Sequence, residues 1–201
     1  MTDQNKPYSQ ACAENERPIR AVLGHYLSSV NALLEIGSGT GQHAVAFATA
    51  FPDLTWQASD LPENLRGIRL WIDEAGLPNL PPPLLLDVTG TWPHIPFDAV
   101  FSANTAHIMS DGQVRAMFGG ISRVLTAGGL FLLYGPFNYG GCFTSNSNAA
   151  FHRWLKERDP ASGIKEFEDL NELARCNDLQ LLGDHAMPVN NRTLVWQRTP
   201  S

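Results

Sequence analysis

Leu33-Leu34-Glu35-Ile36-Gly37-Ser38-Gly39-Thr40-Gly41-Gln42-His43-Ala44 reads as a short apolar strand, a glycine-rich turn and the opening of a helix. Glycines at alternate positions let the backbone take positive φ and let a ligand approach closely. The amides that open the next helix then face that ligand with the positive end of the helix dipole. Glu35 lies on the strand itself, just ahead of the first glycine. Which ligand this turn holds decides the reading of the chain.

Outward from the turn, strands and helices alternate. Ile19, Val22, Leu23, Tyr26, Leu27 and Val30 fall at helical spacing after Pro18. They predict an amphipathic helix opened by proline, behind a loose arm over residues 1–15. After the turn a helix over 42–51 is ended by Pro52, and strand 54–58 closes at Ser59-Asp60. A helix from Pro62 to Ala75 precedes Gly76, and strand Leu84–Leu86 ends at Asp87. Phe97–Ser102 is the fourth strand. Val114, Met117, Phe118, Ile121 and Leu125 mark the next helix, which Gly128-Gly129 is expected to stop. Leu130–Tyr134 is apolar throughout, as a strand buried on both faces of a parallel sheet would be. The last third holds an irregular loop at 135–146, helices at 147–158 and about 165–176, and strands at 179–186 and 192–199. Pro188-Val189-Asn190-Asn191 joins these strands as a hairpin. The pattern predicts a doubly wound α/β sheet of seven strands, parallel except for one reversed strand in the C-terminal hairpin, in one domain over 1–201.

Bulk properties narrow the function classes. The chain has 201 residues, 43% hydrophobic and 17% charged, with a net charge of −6. That suits one soluble core and not a disordered chain. The acidic balance and scattered Lys and Arg lack the footprint of a nucleic-acid binder. Cys12, Cys142 and Cys176 form no CxxC pair, which argues for free thiols in a reducing compartment and against a metal site. Cys142 is expected to be buried or inert. Residues 1–10 are polar, and no apolar run of ~18 residues occurs. The expectation is a cytoplasmic protein with no membrane and no nucleic-acid partner.

A dinucleotide fingerprint is GxGxxG, shaped for a pyrophosphate. Here the spacing is Glu35-x-Gly37-x-Gly39-x-Gly41. This pattern resembles the first motif of class I methyltransferases, whose ligand has no phosphate to cradle. Asp60 ends the next strand, where a carboxylate can accept from both ribose hydroxyls. Asp87-Val88 and Asn104 fall at two further strand ends, and ligands of open α/β sheets sit beyond such ends.

Seven segments then occur in order: Pro7-Tyr8-Ser9-x-Ala11-x(2)-Glu14-Asn15, Glu35 to His43, Trp56-Gln57-x-Ser59-Asp60, Asn104-x(2)-His107-Ile108, Tyr134-Gly135-Pro136-Phe137, Phe143-Thr144-Ser145-x-Ser147-Asn148 and Met187-Pro188-x-Asn190-Asn191. The set resembles the methyltransferase-like 26 family, also known as DUF938, over nearly the whole chain. The resemblance implies a class I fold that binds S-adenosylmethionine. The cofactor-binding residues it implies are Asn15, Glu35, Gly37, Ser38, Gly39, Gly41, Asp60, Leu61, Asp87, Val88 and Asn104. An acid at Asp87 would meet the adenine amino group, and the amide of Val88 would face the ring.

Methyl transfer from a sulfonium is an in-line displacement, so alignment and exclusion of water are the main tasks. The loop after the fourth strand, Asn104-Thr105-Ala106-His107, lies where the methyl group would point. It is not the Asp/Asn-Pro-Pro-Tyr/Phe motif of amino-group nucleic-acid methyltransferases, and with the acidic pI this favours a small-molecule acceptor. His107 is the candidate base, with a structural histidine as the competing reading. Residues 1–17 are read as an arm or lid, in which Arg17 is either a partner for the cofactor carboxylate or a surface charge. The acceptor side is assigned to loop 135–148 with Tyr8, Tyr134, Asn138, Phe143 and Asn148. Phe151, Trp154 and Leu155 are read as a packing stripe. Two other functions remain open at this point: a non-catalytic cofactor-binding module and an NAD-type oxidoreductase.

Overall fold

The computed structural model describes residues 6–199. The strands of the main sheet are β1 (Ala32–Ile36), β2 (Thr55–Asp60), β3 (Leu84–Leu85), β4 (Phe97–Ala103), β5 (Leu125–Gly135), β8 (Leu179–Ala186) and β9 (Arg192–Arg198). A second, two-stranded sheet pairs β6 (Phe137–Asn138) with β7 (Lys165–Glu166) in parallel. The helices are α1 (Gln10–Tyr26), α2 (Gln42–Ala50), α3 (Pro62–Ala75), α4 (Asp111–Val124), α5 (Asn146–Arg158) and α6 (Phe167–Arg175).

The main sheet runs β3-β2-β1-β4-β5-β9-β8. Only β9 is reversed, antiparallel to both β5 and β8. This is the expected doubly wound α/β architecture. The order reverses direction between β1 and β4, and ligands of such sheets bind at that switch point, beyond the carboxyl ends of the strands. The glycine turn leaves β1 there.

Side-chain alternation splits the core in two. Leu33 of β1 faces α1, α2 and α3 with Phe47, Trp56 and Phe101, while Leu34 and Ile36 face α4 and α6 with Phe118, Phe131 and Trp196. Each fully buried side chain of this size contributes about 1.5–3 kcal/mol. Both layers hold the first strands rigidly, so the turn is built on a fixed base.

Four expectations need correction. The first helix does not open at Pro18. It starts at Gln10, where Ser9 Oγ caps it by accepting from the amide of Cys12, and Pro18 lies inside it. A side-chain cap outweighs a proline signal for a helix start. Of the arm, residues 1–5 lie outside the described residues. Gly128-Gly129 does not stop α4, which ends at Val124; Leu125 turns extended and already pairs with Phe97. The glycines sit instead in a register shift within β5, and a Cβ on Gly129 would meet the carbonyls of Thr126 and Asp98 at 2.9 and 3.0 Å. The loop after β5 is not wholly irregular, since β6 and the Tyr139–Cys142 bridge order it. Cys142 is exposed.

Candidate functional site

The glycine turn is braced from β2. The amides of Gly37 and Ser38 both donate to the carbonyl of Ser59, each at 3.0 Å. Glu35 points inward to the α1–α3 layer, and its Oε2 accepts from Ser38 Oγ and from Trp56 Nε1, each at 2.9 Å. Burial pushes its carboxyl pKa up to about 7, against the pull of those two donors. Glu35 thus shapes the turn from within through Oε2. Ser38 is likewise occupied: its Oγ accepts from the amide of Ser59 at 3.2 Å.

The three glycines meet different surroundings. A Cβ on Gly37 would lie 2.5 Å from Thr105 Cγ2, so the loop after β4 closes directly onto the turn. Gly41 packs on α3, where a Cβ would come 3.0 Å from Ile68 Cα. Gly39 has φ +58° and nothing within 4 Å of its Cβ position. The space beside Gly39 is open. Asp60 stands at its edge: Oδ2 accepts from the amide of Gly39 at 2.6 Å, and Oδ1 from Leu61 N and Asn64 Nδ2 at 2.7 and 2.9 Å. Oδ2 carries one of these bonds and keeps a lone pair for a hydroxyl.

The remaining cofactor candidates differ in their surroundings. Leu61 is the partly exposed N-cap of α3. Asp87 lies at the surface, where the Thr89 amide and hydroxyl hold its carboxyl below the usual range. The Val88 side chain belongs to the α4-side core. Asn104 takes φ +58° and donates its amide to the Tyr134 carbonyl at 2.9 Å, which turns the chain sharply after β4. Asn15 Oδ1 meets His43 Nε2 at 2.7 Å, and burial lowers the imidazole to a pKa of about 4. Tyr134 accepts from Asn191 Nδ2 at 3.0 Å, so its hydroxyl ties β5 to the final hairpin.

The N-terminal segment is strapped over the turn. Trp71 Nε1 donates to the Pro7 carbonyl at 2.7 Å, and Gln42 Nε2 donates to the Ser9 carbonyl at 3.3 Å. Tyr8 itself is exposed. Arg17 does not join this site. It is exposed and lines a surface cavity of about 490 Å³ with Ala50 and Phe51, at the opposite end of α2 from the glycines.

His107 is buried, with its ring edge-to-face on Phe151 at 5.2 Å. Burial and the charge of Lys165 lower its pKa to about 4, so it is neutral near pH 7. The segment before β7 clasps it: Gly163 N donates to the His107 carbonyl at 2.8 Å, and Ser162 Oγ to that of Ile108 at 2.6 Å. Lys165 Nζ binds Asp111 at 2.7 Å. Neither Ser162 nor Gly163 is singled out by the sequence reading, and Lys165 enters it only as the approximate start of a helix. Asn148 serves as a clip, donating to Thr144 Oγ1 at 2.9 Å and to the Asn190 carbonyl at 3.2 Å. Phe143 is exposed beside His152, with ring centroids 5.1 Å apart. Trp154 is no packing residue: it is 46% exposed, stacked on Phe151 and capped by Arg158. Among the described residues no cluster of three or more His, Cys, Asp or Glu suits a metal ion, and no helix is long and apolar enough to cross a membrane.

The model of the family described as "Protein of unknown function (DUF938)" matches residues 6–198. The chain belongs to the DUF938 family. Solved structures with the same fold include an O-methyltransferase family protein from Burkholderia thailandensis, with TM-score 0.80 and 16% identity over 92% of this chain and 57% of that one. The S-adenosylmethionine-dependent methyltransferase SibL matches with TM-score 0.80 and 23% identity over 94% and 56%. The mitomycin 7-O-methyltransferase MmcR matches with TM-score 0.80 and 17% identity over 92% and 54%. This DUF938 chain therefore spans a little over half the length of these proteins and has the class I methyltransferase fold.

Proposed function

We propose that this DUF938 protein, read as a methyltransferase-like 26 member on its seven ordered segments, transfers a methyl group from S-adenosylmethionine to a small-molecule acceptor. The observation that carries the reading is the open space at Gly39, bordered by the Asp60 carboxylate and placed at the switch point of a class I sheet. The residues fit the cofactor: Asp60 Oδ2 is free to accept from a ribose hydroxyl, and the turn needs no phosphate. The named structural neighbours are O-methyltransferases or an S-adenosylmethionine-dependent methyltransferase, which supports the same chemistry here.

When bound, S-adenosylmethionine supplies an electrophilic methyl group on a sulfonium. The chain's part is to bind, align and exclude water. Asp60, Leu61, Asp87, the Val88 amide and Asn104 border the nucleoside. Glu35 and Ser38 hold the turn's shape, and Asn15 with His43 closes its α1 side. His107, neutral above pH 5, receives the proton of an acceptor hydroxyl. As the oxygen bonds the methyl carbon its proton becomes strongly acidic, so an imidazole of pKa about 4 can take it. Tyr8, Tyr134, Asn138, Phe143 and Asn148 surround or shape the acceptor side. The product pair is a methylated acceptor and S-adenosylhomocysteine.

Thermal-shift measurements test the cofactor: S-adenosylhomocysteine is expected to raise the unfolding midpoint and NADH to leave it unchanged. Turnover tests the enzyme. Release of S-adenosylhomocysteine with at least one member of a panel of phenols, acids, thiols and amines is expected. Binding without release across the panel would instead assign a non-catalytic module.

A further inference from the structure

The segment Gly163–Glu166 gathers side chains that the proposed reaction leaves partly unexplained. It clasps His107 through the Gly163 amide. Its β7 strand pairs with β6, which sets Asn138 opposite Glu166. Gly163 also packs on His152, since a Cβ there would come 3.0 Å from His152 Cε1. Within this cluster two buried polar atoms, Asn138 Oδ1 and His152 Nδ1, have no hydrogen-bond partner. An orphaned buried acceptor costs about 1–3 kcal/mol. Native proteins keep few such atoms, and each calls for a cause.

We propose that Asn138, His152 and Lys165 complete an acceptor subsite, which takes an uncharged planar molecule bearing a weakly acidic hydroxyl and a second hydrogen-bond donor. The proposal rests on the methyltransferase reading and deepens it. Asn138 Oδ1 accepts only, so its partner must be an N–H or O–H of the ligand. Phe143 and Phe151 pack edge-to-face on His152 and His107 and supply aromatic surface beside the two imidazoles. The largely buried Lys165 ammonium, paired with Asp111, adds positive charge beside both imidazoles, joined at His152 by Lys156 and opposed there by Glu166. That charge disfavours a cationic amine and leaves an uncharged hydroxyl acceptable. In the transfer, a lone pair of the hydroxyl oxygen takes the methyl carbon, the carbon–sulfur pair stays on sulfur as a neutral thioether, and the hydroxyl proton passes to His107. In this proposal, access to Asn138 requires the Tyr139–Cys142 turn to open. Gly140 and Gly141 hold that turn through exposed amide bonds to Glu168 and Glu166.

The test assays the full chain with S-adenosylmethionine and three probes: catechol, its monomethyl ether and benzylamine. Binding of S-adenosylhomocysteine is measured alongside. Catechol is expected to show a kcat/KM at least about tenfold above that of the ether, and benzylamine no turnover. Asn138→Leu is expected to erase that preference, keep the wild-type affinity for S-adenosylhomocysteine, and leave the unfolding midpoint unchanged or raised, because the orphaned atom is gone. His152→Phe should lower catechol turnover with the same nucleotide affinity. Equal use of catechol and its ether, turnover of benzylamine, a preference that survives Asn138→Leu, or no turnover of catechol by a chain that binds S-adenosylhomocysteine would each overturn the subsite. A lowered midpoint for Asn138→Leu would make the side chain structural and overturn it too. If the wild-type chain fails to bind S-adenosylhomocysteine, the methyltransferase reading falls, and the subsite with it.

Discussion

At the scale of single residues, the three turn glycines separate structure from binding. Gly37→Ala places a methyl group 2.5 Å from Thr105 Cγ2 at a φ of +71°, so steric clash adds to backbone strain. A loss of about 2–4 kcal/mol is expected in urea unfolding, part of it recovered by Thr105→Ser, which removes the opposing methyl. Gly39→Ala meets no neighbour and carries only the positive-φ cost of about 1 kcal/mol. It should fold, yet lose about tenfold or more in affinity for S-adenosylhomocysteine, because the added carbon enters the ligand's space. His107→Asn should leave that affinity intact and lower kcat about 100-fold or more. The alternate glycines and Asp60 were legible in the sequence because spacing alone brings strand ends together. The inward turn of Glu35 was not, since its partners Trp56 and Ser38 are fixed only by the packing of β2 against β1.

At the scale of elements, the site depends on how loops are fastened. Asn148 joins the N-terminus of α5 to the hairpin tip at Asn190. Asn148→Ala removes both its bonds and should cost about 1–2 kcal/mol, with proteolysis within 139–147 as the first visible change. The succession of strands and helices and the presence of one reversed strand in the C-terminal hairpin were legible, because apolar runs and turn residues encode them locally; the lateral order of the strands was not read from the sequence. The start of α1 was hidden behind Pro18, and the β6–β7 pairing was hidden because two-residue strands carry no periodicity. The clasp of His107 by Ser162 and Gly163 spans more than fifty residues, so no local pattern announces it.

At the scale of the whole molecule, stability should follow pH through three buried groups of opposing sign. His43 and His107 are lowered from 6.5 to about 4, so between those values the unfolded chain binds more protons than the folded one. Both histidines make stability fall as pH drops through that window. Glu35 is raised from 4.5 to about 7, so the folded chain holds its proton longer, and stability falls as pH rises through that range. Two histidines against one carboxyl leave a net slope of about one proton between pH 4.5 and 6.5, with stability increasing toward neutrality. Glu35→Gln keeps a neutral amide in place of the carboxyl. Its slope in the same window should steepen to about two protons, as read from urea midpoints across pH.

The central claim is that the Gly37–Gly41 turn with Asp60 holds S-adenosylmethionine, and calorimetric titration of the full chain with S-adenosylhomocysteine tests it most directly. Saturable binding to one site per chain is expected, with Asp60→Ala weakening it about tenfold or more while the unfolding transition stays cooperative. No heat of binding up to millimolar S-adenosylhomocysteine, or binding that Asp60→Ala leaves untouched, would contradict the account.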